Sequence, residues 1–167
     1  MQRTLAAFAV AAACAATLAT PVAQAETVLT VVPHSNLSIL DPIWTTAYMS
    51  RNHGYMIYDT LFGTDENSKI QPQMVDTWTV SADKKIYDFK LRAGLEWHDG
   101  APVTGEDVVA SLARWGKRDA MGGALMTFVD KMEAVGKDSF RITLKEPCGF
   151  VIEALGKPSS NVPFIMP

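Results

Sequence analysis

QPQMVDTWTVSADKKIYDFKLRAGLEWHDGAPVTGEDVVASLARW, residues Gln71–Trp115, sets out a small sheet and a packed helix in chain order. Trp78 and Val80, then Ile86, Tyr87, Phe89 and Leu91, are apolar residues in partly alternating order on either side of the polar patch Ser81–Lys85. That alternation with a polar break predicts a hairpin with one face inward. A second turn follows at Arg92-Ala93-Gly94, and Leu95, Glu96 and Trp97 lead into His98-Asp99-Gly100, whose Asp-Gly pair accepts the positive φ of a tight turn. Thr104 stands three residues ahead of Asp107, the spacing of a capping box with Asp where Glu or Gln is usual. Behind it Val108, Leu112 and Trp115 fall at i, i+4 and i+7, one apolar helix face. The order is strand, turn, strand, turn, capped helix.

Working outward, Thr27–Val32 is β-branched almost throughout and predicts a buried strand that ends at Pro33. His34–Tyr48 has no clean period and is expected as an ordered loop leading into a helix over about 45–60. Its expected buried side is Tyr48, Met49, Tyr55, Met56, Tyr58 and Leu61. Leu61–Gly63 reads as a short strand before the turn at Asp65–Ser68. On the far side, Gly122-Gly123 interrupts a helical segment over 120–127. Phe128–Val135 and Ser139–Lys145 form a second hairpin across Gly136-Lys137-Asp138. Phe150–Leu155 opens a further helix, and Pro158, Pro163 and Pro167 impose extended chain with no closing element. The fold class is mixed α/β.

Met1–Thr4 carries one positive charge, Leu5–Leu18 is an apolar run, and Ala23-Gln24-Ala25 supplies the small-x-small pattern of a signal peptidase site. Residues 1–25 are read as a secretory signal peptide cleaved after Ala25, which places the product in the periplasm. Cleavage leaves Cys148 as the only cysteine, a small core residue with no internal partner. The 167 residues carry a formal net charge of −3 and no run of Lys or Arg, so no nucleic-acid partner is expected.

Catalytic and metal chemistry find little support. His34, His53 and His98 are the three histidines, and no two have the short spacing of a zinc site, so no metal and no cofactor is expected. His98-Asp99 is read as holding its turn by hydrogen bonds. Ser35 with His34 and Asp41 is the nearest approach to a nucleophilic triad, but sequence neighbours rarely supply that geometry. Glu96, Asp99, Glu106 and Asp107 cluster around a turn and a helix N-terminus, where negative charge is favourable. No catalytic residue is assigned.

The Gln71–Trp115 run closely resembles the conserved segment of the peptide and nickel group of extracytoplasmic solute-binding proteins, family 5, which serve ATP-driven importers. The resemblance is carried by Pro72, Met74, Trp78, Val80, Ser81, Tyr87, Phe89, Leu91, Arg92 and Gly94, then by Trp97-His98-Asp99-Gly100, Pro102-Val103-Thr104, Asp107-Val108, Ser111, Leu112 and Arg114. It implies part of a class II-like, two-lobed periplasmic-binding-protein fold: the N-terminal part of the large lobe plus an adjoining subdomain. Residues 26–70 would start lobe I and residues 71–167 would form the subdomain beside it. The implied function is capture of a small peptide or related solute by lobe closure, with a membrane permease as partner. The loop after the first strand faces the cleft in that family, which puts Pro33, His34, Ser35, Asn36 and Leu37 beside the ligand. Trp44 and Tyr48 are either aromatic walls of the same site or core residues under the loop. Tyr55 stands where some oligopeptide binders carry an arginine, which leaves the ligand class open. Two other readings stand beside this one: an exported hydrolase on a similar scaffold, and a truncated receptor fragment without function.

Overall fold

The computed structural model describes residues 28–167, and the signal peptide expected over residues 1–25 lies outside them. The chain divides into two units, Met1–Val32 and Pro33–Pro167. In the first, only Val28–Val32 is described, and it is in neither helix nor strand, with Leu29 and Val32 86% and 87% exposed. The expected buried strand is therefore not formed in the described part of Thr27–Val32. High β propensity makes a strand only where another ladder accepts its N–H and C=O groups, and no strand of the described residues pairs with it.

In the second unit the two predicted hairpins join into one sheet. β4 (Val75–Val80) and β5 (Ile86–Leu91) form the first hairpin, β6 (Val129–Gly136) and β7 (Ser139–Leu144) the second, in the antiparallel order β4-β5-β7-β6. The register sets Trp78 opposite Phe89, Phe89 opposite Phe140, and Tyr87 opposite Ile142. Alternation then puts Tyr87, Phe89, Leu91, Phe140, Ile142 and Leu144 on one buried face, where Phe89 and Phe140 stack at 4.7 Å. β4 is an edge, and only its Val75 is buried; Trp78 and Val80 stay partly exposed, with Trp78 edge-on to Phe62 at 5.3 Å.

α2 (Gly105–Gly116) covers the buried face. Its capping box is complete: Thr104 Oγ1 accepts from Asp107 N–H at 3.3 Å, and Asp107 Oδ2 accepts from Thr104 N–H at 2.8 Å. Val108, Leu112 and Trp115 are fully buried, as their spacing predicts. The helix starts hard against the β6–β7 turn, where Gly105 donates to Lys137 O at 3.0 Å. A Cβ on Gly105 would lie 2.4 Å from Ser139 O, so only glycine permits this approach.

α3 (Ala120–Phe128) runs unbroken through Gly122-Gly123. The pair does not interrupt it, because Gly122 sits against Trp115 where a side chain would crowd the indole at 3.0 Å. α1 (Tyr48–Ile57) forms close to its expected place, but of its expected buried side only Leu61 is buried, and Met49 and Tyr58 are half-buried. It buries Ser50 and Gly54, while Tyr48, Tyr55 and Met56 are exposed. Gly54 decides this: a Cβ there would lie 2.7 Å from the Phe164 ring and 2.8 Å from Pro42, so that face alone can approach so closely.

The last segment also differs from expectation. β8 (Phe164–Ile165) pairs with β1 (Asp59–Thr60), and Ser111 Oγ bridges Met166 by accepting its N–H at 2.9 Å and donating to its O at 3.1 Å. The prolines thus deliver a pairing strand back to the start of the unit. β2 (Phe62–Thr64) and β3 (Ile70–Pro72) pair across the predicted turn at Asp65–Ser68, and α4 (Val151–Leu155) packs its buried side with Cys148 into the core. No helix of the described residues is long and apolar enough to cross a membrane.

Candidate functional site

Trp44 is exposed on a segment whose backbone is held from several sides. Its indole is 55% exposed, yet the peptide groups around it are fixed on both sides. Asp41 O accepts from Trp44 N–H at 3.3 Å, and Asp41 Oδ1 accepts from Ile43 N–H at 3.0 Å. The buried Asn161 side chain donates to Ile43 O at 2.8 Å and Thr45 O at 3.1 Å, while the Asn161 main-chain carbonyl accepts from Trp115 Nε1 at 2.8 Å. From the end of α2, Arg114 pairs with Asp41, and Arg118 donates to Trp44 O at 2.8 Å. The Arg118 guanidinium lies over the indole at 4.0 Å from its centroid. A large apolar surface that the fold orders but does not bury is what a binding face requires.

Beside Arg118, Asp119 is almost fully buried and does two things. It caps α3 by accepting from Gly122 N–H at 2.8 Å, and it pairs with Lys157 at 2.5 Å. Tyr48 stands at the start of α1 with the Arg51 guanidinium 4.6 Å over its ring. Trp44 and Tyr48 are thus aromatic surface residues, not core residues under the loop.

Pro33, His34, Ser35, Asn36 and Leu37 form an exposed run without helix or strand, tethered where Ser50 Oγ donates to Ile39 O. Within the described residues no hydrogen bond joins His34, Ser35 and Asp41; Asp41 is taken by Arg114 and Ile43. A cavity of about 340 Å³ lies elsewhere, under the end of α1, between Tyr55, Tyr58, Met74, Trp97 and His98, and none of the seven predicted ligand residues lines it. In the neighbouring turn Asp99 holds its place by accepting from Ala101 N–H at 2.9 Å, whereas His98 lines the cavity and makes no side-chain hydrogen bond to the described residues. Burial raises the Tyr55 hydroxyl's pKa, against a smaller lowering by Arg51, so Tyr55 stays neutral and donates to Pro158 O at 3.1 Å. No group of three or more His, Cys, Asp or Glu that could hold a metal ion occurs among the described residues. Arg118, Asp119, Lys157 and Asn161 were not legible as site residues, because no local pattern marks a side chain whose partner is 38 to 118 positions away.

The sheet-and-helix unit is what the family comparison detects. Residues 69–166 match the model described as bacterial extracellular solute-binding proteins, family 5 Middle. The chain belongs to this family. Among family 5 relatives, the probable peptide ABC transporter periplasmic-binding protein of Sinorhizobium fredii is 47% identical over 131 residues, 78% of this chain and 24% of the relative. A glutathione-binding protein of Pectobacterium atrosepticum is 30% identical over 148 residues, 87% of this chain and 29% of its own length. Among solved structures, the binding protein MoaA from A. tumefaciens R10 in complex with mannopinic acid superposes with a TM-score of 0.65 at 32% identity, over 77% of this chain and 27% of that one. The mixed α/β architecture is thus that of part of a periplasmic binding protein, and the chain spans about a quarter of the length of the relatives it matches.

Proposed function

We propose that this family 5 chain acts in the solute-binding component of an ATP-driven importer, capturing peptides or similar small solutes in the periplasm. Lobe closure around the solute would favour docking on the membrane permease, and no bond of the solute is broken. The observation that carries this reading is Trp44, exposed yet pinned through its own and neighbouring peptide groups. A surface ordered before the ligand arrives loses little entropy on binding. In the same proposal Pro33, His34, Ser35, Asn36 and Leu37 contact the solute beside Trp44 and Tyr48. Export by a signal peptide of residues 1–25, and the division into residues 26–70 and 71–167, belong to it as well. The ligands of the relatives, a peptide, glutathione and mannopinic acid, support a small polar solute.

A thermal-shift screen of the full-length protein against short peptides, glutathione, mannopinic acid and a nickel–histidine complex tests the reading. A solute present at about one hundred times its Kd is expected to stabilise by about 2.7 kcal/mol, and Trp44→Ala should weaken that shift. Absence of a shift with every member of the panel, or turnover of any of them, would overturn it.

A further inference from the structure

We propose that Arg118 reads a carboxylate of the bound solute, so that the peptides this receptor takes need a free C-terminus. The inference rests on the solute-binding reading of the Trp44 face and deepens it. Most of the cations nearby are closed by protein partners: Arg114 pairs with Asp41, and Lys157 with Asp119. Arg118 is different. Within the described residues no carboxylate lies within ion-pair distance of it, although it is exposed and its plane is fixed. The Trp44 ring holds one face of the guanidinium at 4.0 Å, and Trp44 O takes one Nη2 proton at 2.8 Å. Nε, Nη1 and the second Nη2 proton make no hydrogen bond to the described residues, so donors remain for a two-pronged match to a carboxylate.

Holding a guanidinium flat by stacking removes the rotamer entropy that makes exposed ion pairs weak. The held edge is therefore worth more to an incoming anion than a free surface arginine. The stack on Trp44 uses the charge and one face of the guanidinium and the hydrogen bond uses one proton, so fastening the loop leaves the other donors unspent. A carboxylate matches those donors in both charge and spacing.

The test is calorimetric titration of the full-length protein with Ala-Ala-Ala and with its C-terminal amide, on the wild type, Arg118→Gln and Arg118→Lys. The free acid is expected to bind about tenfold or more tightly than the amide in the wild type. Arg118→Gln should erase that preference, the acid losing about tenfold or more in affinity beyond what the amide loses, and Arg118→Lys should retain part of it. A single cooperative melt for each of the three proteins shows that all are folded. Equal binding of acid and amide by the wild type overturns the carboxylate assignment and leaves the receptor reading standing. So does an Arg118→Gln loss that is the same for both forms, which would make Arg118 a fastener. If neither form binds the wild type, peptide capture fails and the carboxylate assignment fails with it.

Discussion

At the residue scale, short polar side chains fix the turns from which the sheet is hung. Asp65 accepts at 2.9 Å from each of Asn67 N–H, Lys69 N–H and the Gln71 side chain. Ser81 Oγ accepts from Ile86 N–H at 2.9 Å, and Asp83 lies against Ser81 and Lys85 N–H. The Lys69 N–H first, then Gln71, hold the Asp65 carboxyl below its usual 3.8; for Asp83 the Ser81 hydroxyl leads and Lys85 N–H follows. Both groups have a lowered folded pKa, so what they add to stability is present in full above 3.8 and is lost as pH falls through the folded values. The expected outcome is a urea midpoint that declines with acid below about pH 4. Asp65→Asn should flatten part of that decline, and an unchanged slope would refute the assignment.

At the element scale, glycines set how closely elements approach. Gly105 lets the capped start of α2 touch the β6–β7 turn, and Gly122 lets α3 lie on Trp115. Gly105→Ala places a methyl 2.4 Å from a backbone oxygen that cannot rotate away, so the helix must shift. A loss of about 1–3 kcal/mol is expected from denaturant unfolding. Gly123→Ala is the control, since its nearest neighbour would be at 3.6 Å, and helix propensity there favours alanine by about 1 kcal/mol. If the two variants have the same midpoint, close approach is not what glycine provides at position 105.

At the scale of the whole molecule, the Pro33–Pro167 unit keeps a well-packed core but carries Leu40, Trp44, Tyr48 and Met56 on its surface, the last 82% exposed. β4 and β6 are open edges of the four-stranded sheet. Apolar surface and unpaired edges both favour association. The 167-residue chain expressed alone is expected to self-associate as its concentration rises, read by sedimentation velocity. A single monomeric species with a cooperative melt across the range would count against this.

The local chemistry of the sequence was sufficient for the turns, both hairpins, the capping box and the buried stripe of α2, because each depends on residues within a few positions of one another. That set also carried the family resemblance. The fate of Val28–Val32, the face that α1 buries, the continuity of α3 and the pairing of β8 with β1 all waited on tertiary structure. Each turns on a ladder partner or a clearance contributed from far along the chain, as when Phe164 fills the notch at Gly54. The site divides in the same way: Trp44 and Tyr48 could be nominated from sequence as aromatic residues beside a loop. That Trp44 is held out in solvent under Arg118, 74 positions away, is decided only when α2 and the loop meet.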